Sequence, residues 1–395
     1  MHIPCGLRQN FLDNNANSWF IYSIGNVVYQ PMKGGAVFGQ RLKLARKKSG
    51  LSMQRLADQL DPPLSAQAIS KYENDQMMPS SSVMAQLSKV LGTSIDFLMA
   101  AQVAELQGIE FRKGSRTSAQ DRAVAEAIVI ESLEDYLAIE SILDLPERPD
   151  QFGKLRNRRI ETYEEAEELA VELRRYWNLG LDPIPSMSRL LEDRGIRVVE
   201  ADLPDRFDGL ACDVELVGER IKTEVVVVSK NTGIERKRFN LAHELAHRVI
   251  VEVGQGIDKE RAMHRFGGAF LAPADHIREA IGNSRHGVTY HEIVRLKQYY
   301  GISAAALLMR MKDLAILPAG SVEYAFRTYA KAWRRHEPDP IQWGQGIGAF
   351  EHPSRFKNLV WRALGDELIS PVRASQLLKR PLKNVEQEIR GPQPA

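Results

Sequence analysis

The stretch His243-Glu-Leu-Ala-His247 carries three polar residues at a spacing that suits chemistry. On a helix, positions i and i+4 lie one above the other on the same face, so both imidazoles can point at one ion. Glu244 stands beside the first imidazole, within reach of a water on that ion. Two histidines holding Zn2+ with an adjacent carboxylate as general base is an arrangement for hydrolysing a peptide bond. Leu241, Ala242, Leu245, Ala246, Val249 and Ile250 surround the motif and mark the helix as buried. Histidines and a glutamate buried there need partners, which a metal and its water supply. Catalytic zinc takes three protein ligands and keeps one position open. Glu260, at the start of the next helix, is the expected third ligand, with Asp258 the near competitor and His264 the next. His264 lies four residues after Glu260 on the same face, where it can hydrogen-bond a ligand from behind.

The elements that must position these residues follow from pattern and punctuation. Residues 196–201, 210–216 and 224–229 are rich in valine and other apolar residues and read as strands. The turn at Asn231-Thr-Gly leads into a helix expected from Glu235 to Val253, ended by Gly254 and Gly256. A second helix runs from Lys259 to Leu271 and stops at Pro273. Upstream, residues 37–100 read as short helices: Phe38, Leu42 and Ala45 face one way, and Arg41, Lys43, Arg46, Lys47 and Lys48 the other. Gly50 closes that helix and Ser52 opens the next. Asp61-Pro-Pro breaks the second helix, Ser65 caps a third to about Glu73, and Gly92 closes a fourth. Between the two regions, residues 123–143 repeat apolar side chains at helical spacing, and 161–177 read as an acidic amphipathic helix. Residues 313–395 read as strands and helices with a polar, proline-rich tail.

Composition narrows the possibilities. The 395 residues suit two or three domains. A net charge of +2 leaves nucleic-acid binding to a local patch. No run of roughly eighteen apolar residues predicts a membrane span. Cys5 and Cys212 are too few for a disulfide framework, and residues 1–31 lack the order of a signal peptide. The expectation is a cytoplasmic protein in which residues 1–36 are a disordered extension, with Met32 as an alternative start.

Two resemblances now enter. Residues 238–247, with Glu260 and Phe266-Gly-Gly-Ala-Phe-Leu-Ala-Pro273, resemble the ImmA/IrrE metallopeptidases. The resemblance implies His243, His247 and Glu260 as zinc ligands and Glu244 as the catalytic base, with Gly267 and His264 at places where the family more often has alanine and asparagine. Leu51-Ser-Met-Gln-Arg-Leu-Ala57, Ile69-Ser-Lys-Tyr-Glu73 and Pro79 resemble the Xre-type helix-turn-helix of phage repressors, with Asp61-Pro-Pro-Leu lengthening the turn before the recognition helix. In such domains the N-terminal residues of the recognition helix meet base edges in the major groove. Gln67 is then the best base reader, since glutamine can bond adenine in bidentate fashion. Ser65, Ser70 and Lys71 lie nearby, and Gln54, Arg41, Lys47 and Lys48 are candidates for phosphate contacts.

Together these imply an α+β protein. An all-α helix-turn-helix domain at 37–100 is joined by a helical linker at 101–155 to a zincin-like domain at 156–312, with a C-terminal helical or mixed region at 313–395. The partners implied are double-stranded operator DNA, read as a possible homodimer, and a protein substrate: a repressor or the chain itself. The setting would be stress, prophage or toxin–antitoxin regulation. The rival expectation is a regulator or antitoxin whose zincin domain only senses or interacts. Zincins take substrate as an added strand on a sheet edge, for which Leu210–Leu216 and Glu224–Lys230 are the candidates. In residues 313–395, Tyr324, Trp333, Trp343 and Trp361 are expected mainly as core aromatics.

Overall fold

Serine and threonine hydroxyls begin many of the helices of this protein. The computed structural model describes residues 38–99, 103–107, 118–146, 150–204, 209–216 and 222–390. The expected extension at 1–36, Met32 and the tail after 390 lie outside them. In chain order, α1 (Phe38–Lys48), α2 (Met53–Asp58), α3 (Ala66–Glu73), α4 (Ser81–Leu91) and α5 (Ile95–Met99) form the first group. Ser52, Ser65 and Ser80 cap α2, α3 and α4 by accepting backbone N–H groups. Then come β1 (Val103–Gln107) and the long α6 (Ala119–Ile142), which opens on a Ser118/Asp121 capping box. The central part is β2 (Arg158–Ile160), α7 (Tyr163–Tyr176), α8 (Met187–Asp193), β3 (Arg197–Ala201), β4 (Gly209–Leu216), β5 (Lys222–Ser229), α9 (Ile234–Val249), β6 (Ile250–Val253) and α10 (Lys259–Leu271). Helices α11 (Ala274–Ile281), α12 (Tyr290–Tyr300), α13 (Ala304–Asp313), α14 (Ala319–Arg327), α15 (Arg355–Gly365), α16 (Pro371–Leu378) and α17 (Leu382–Arg390) complete the described chain. The fold class is α+β, and the described residues of 313–390 hold helices and no strand.

The main sheet has the order β1-β4-β5-β3, with β3 and β5 parallel and the other pairs antiparallel. Successive residues of a strand point to opposite faces, and both faces here are covered. Val198, Val226 and Val228 join the core of α7–α14, while Val199, Ala201, Val225 and Val227 join that of α1–α6 and α15–α17. The sheet therefore stands between the two candidate sites.

Two expectations change. The helix expected to reach Val253 ends at Val249, and Ile250–Val253 pairs in parallel with β2. Its run of β-branched residues prefers extended backbone to another helical turn. Neither strand expected to offer an edge does so, because β5 lies between β4 and β3, and β1 covers β4.

Candidate metal centre and nucleic-acid interface

Helix α9 is buried nearly all round, with its apolar side chains on one face and the motif on the opposite one. Leu241, Ala242, Leu245, Ala246 and Val249 are inaccessible or nearly so, and α10 packs across them through Ala262, Met263, Phe266 and Ala269. Gly267 lets the two backbones approach closely: a β-carbon there would stand 3.5 Å from the backbone nitrogen of His243, an ordinary contact. Asp258 caps α10, accepting from the backbone N–H of Arg261 at 2.7 Å, so the competitor to Glu260 is occupied by the helix end. Glu260 then falls in the first turn of α10, facing the α9 histidines.

The structure brings His243, His247 and Glu260 together, one ligand atom from each lying within 4.8 Å of the others. The two Nε2 atoms are 3.1 Å apart, and the Glu260 carboxylate oxygens lie 3.3 Å from Nε2 of His243 and 3.8 Å from that of His247. Ligand bonds of about 2.0–2.1 Å at tetrahedral angles would set neighbouring donor atoms roughly 3.3–3.4 Å apart, so this donor set fits a metal ion. Glu244 is buried beside His243. His264 is exposed, with its ring 4.8 Å from that of His243 and 5.7 Å from Phe239. The centre thus opens to solvent on the α10 side, where Glu260 and His264 lie.

Buried ion pairs fix the helices that carry these ligands. Arg238 and Glu351 are fully inaccessible and pair at 2.5 Å, and the Arg238 guanidinium also donates to the carbonyls of Ile184 and Gly301. The Glu351 carboxylate accepts from the backbone N–H groups of Met187 and Ser188, filling the N-terminus of α8. Lys297 donates to Glu235 at 2.8 Å, and Glu235 accepts from the Ile341 backbone. Lys237 pairs with Glu200 and lies 4.5 Å from the centre of the Trp343 ring. Residues 337–352 therefore strap the N-terminal half of α9. Arg265 of α10 and Arg310 of α13 both pair with Glu167 of α7. Burial raises the Glu167 pKa, but the hydrogen bonds and charges of these arginines prevail and hold it below its ordinary value. Sequence reasoning missed these partners. Charges at Glu235, Lys237 and Arg238 in a helix that had to be buried were the available signal, but they do not name partners 62, 37 and 113 residues away. Of the C-terminal aromatics, Trp333 is core, whereas Tyr324 is exposed and Trp343 stacks on His352.

The recognition-helix candidate, α3, is fixed from behind and open in front. Arg46 binds Glu73 through two hydrogen bonds of 2.5 and 2.9 Å, and Asp75 accepts from the Gly39 backbone at 2.7 Å. Gly39 is required where α1 meets α3, since a β-carbon would come within 2.5 Å of the Glu73 carbonyl oxygen. Ile69 and Tyr72 face inward, while Ser65, Gln67 and Lys71 are exposed and Ser70 is half-buried. The Ser65 hydroxyl accepts from Ala68 N–H as the cap, and Ser70 accepts from Asn74. Gln54 is exposed on α2 and donates to Asp58. Arg41 is not available to phosphate: it is buried, pairs with Glu134 of α6 and lies over the Phe97 ring. Its place on the apolar side of α1 required a partner that only the fold supplies. Lys47 is exposed and Lys48 half-exposed.

A short helical unit and a sheet-backed His/His/Glu cluster lie in one chain, and the stretches that carry them match two family models. Residues 42–98 match the helix-turn-helix family, and residues 191–312 match the IrrE N-terminal-like domain of the M78 peptidases. The chain carries an Xre-type helix-turn-helix followed by an IrrE/ImmA-like domain. It is similar to an SPbeta prophage-derived uncharacterized HTH-type transcriptional regulator, YonR, of Bacillus subtilis (strain 168). The identity is 39% over 69 residues, covering 18% of this chain and 62% of that protein. No solved structure matches the chain. No helix among the described residues is long and apolar enough to cross a membrane.

Proposed function

We propose that this protein is a DNA-binding transcriptional regulator fused to a zinc-dependent endopeptidase that cleaves a repressor-type protein or the chain itself. The observation that carries the reading is the convergence of two imidazole nitrogens and a carboxylate beside buried Glu244, in a chain that also bears an exposed, serine-capped recognition helix. His243, His247 and Glu260 hold the zinc, which when bound supplies Lewis acidity toward a water and a peptide carbonyl. Glu244 accepts the proton of the attacking water and returns it to the leaving nitrogen as the C–N bond breaks. His264, at the open side, orients a ligand. Residues 37–100 bind operator DNA, with Gln67 reading a base, Ser65, Ser70 and Lys71 near it, and Gln54 on a phosphate. Two copies would engage two half-sites. Residues 101–155 connect this part to the peptidase at 156–312, and residues 337–352 brace α9.

The test compares the zinc-loaded chain with its Glu244→Gln variant at equal metal content. Each is incubated with itself and with candidate repressor proteins, and fragments are read by mass spectrometry. Cleavage by the first alone is the expected result. Zinc and operator binding without cleavage by either would assign the zincin domain to sensing.

A further inference from the structure

Helix α9, which carries both histidines, packs against β5 and β4. Strand β4 is thus one of the two strands beneath that helix, and its outer edge is the side turned away from β5. An exposed edge of this kind offers unpaired N–H and C=O groups to any extended peptide. Here the edge is filled from within the chain. Strand β1 runs antiparallel to β4, with Glu105 opposite Glu215, Leu106 opposite Val214 and Gln107 opposite Asp213. The register breaks between Val103 and Glu105, so this five-residue strand holds the edge through a short, interrupted ladder. Only residues 100–102 separate β1 from α5 of the DNA-binding helices.

We infer that β1 is a built-in occupant of the peptide edge, which leaves when a foreign extended peptide is taken. The inference rests on the peptidase reading for what that peptide is, and on the sheet alone for the competition. One β4 edge cannot pair with two strands, so the fraction of molecules with β1 undocked sets the apparent affinity for peptide.

The experiment uses the full chain without zinc and with Glu244→Gln, so that cleavage plays no part. The probe is an N-acetylated, C-amidated peptide spanning residues 101–109, labelled for anisotropy. Replacing Glu105 and Leu106 by proline removes two backbone donors from β1. This variant is expected to bind the probe roughly tenfold or more tightly than the unsubstituted chain, as for a strand docked in about nine molecules of ten. In it the amides of Gly209–Leu216 should exchange faster with deuterium and slow again on adding probe. Unchanged exchange on the β3–β5 pair reports an intact fold. The chain without the proline changes gives a second reading: saturating probe should expose Val103–Gln107 to exchange while Gly209–Leu216 stays protected. Equal probe affinity in the two proteins, with no change in β1 exchange, would overturn the inference. Probe on the edge, with no cleavage of the chain or of candidate repressors by the zinc-loaded wild type, would leave the competition standing and overturn the peptidase reading.

Discussion

Helix α9 lies inside its part of the molecule, and α3 lies on the surface of its own. The α9 side chains with chemical potential sit among buried partners: Arg238 with Glu351, Lys237 with Glu200, and Glu235 with Lys297. The α3 side chains that would read DNA face solvent or bond within their own turn, and α3 is anchored from behind by Arg46, Glu73 and Asp75. The difference suits the two tasks proposed for these helices. Metal ligands must be held in fixed positions before a substrate arrives, whereas a recognition helix must leave its reading face to the groove.

The comparison breaks most easily at the α9 strap. Arg238→Met leaves the Glu351 carboxylate buried without its cation and should cost about 3–5 kcal/mol, read as a lower urea midpoint. On α3, Lys71→Ala should move stability by less than about 0.5 kcal/mol. Similar losses for the two would mean that α9 is not held by its ion pair. The contact between α8 and α15 should respond to pH. Burial raises Glu192 to about 7, against the hydrogen bonds it accepts from Ser354 and Arg355. Because the folded pKa is raised, its stabilising contribution is complete below the unfolded carboxylate value and is lost as pH rises through about 7. Between pH 5 and 8 the stability gap between wild type and Glu192→Gln should shift by up to about 3 kcal/mol toward the variant. A gap independent of pH would contradict the raised carboxyl.

Smaller effects sharpen the contrast. Gln67→Ala should weaken operator binding by about 1–3 kcal/mol and leave non-specific binding unchanged, measured by titration at fixed salt. An equal loss on both DNAs would remove Gln67 as a base reader. Gly267→Ala should stabilise by about 0.5–1 kcal/mol, because alanine is the better helix former and its β-carbon meets only ordinary contacts. A lower melting temperature would show that α9 and α10 cannot tolerate a methyl group between them.

Local rules made parts of this molecule legible. The i, i+4 histidines, the serine caps and the Gly92 stop each act within a few residues, and the structure places them as helical spacing dictates. What was hidden acts at long range. Arg41 read as a solvated base, yet it meets Glu134 across the chain, and Arg238 waits for Glu351. The strands were visible in their valines, but sheet order was not: only pairing reveals that β1 closes the edge of β4. Val249 to Val253 combined a helical approach with β-branched residues, and pairing with β2 decided for strand.

The most direct test of the central claim is the metal content of the purified chain beside that of its His247→Ala variant, each dialysed against the same zinc buffer. The account predicts one equivalent of zinc per wild-type chain and none held stoichiometrically by the variant, with both folded by circular dichroism. One full equivalent retained by His247→Ala would contradict a centre built from His243, His247 and Glu260.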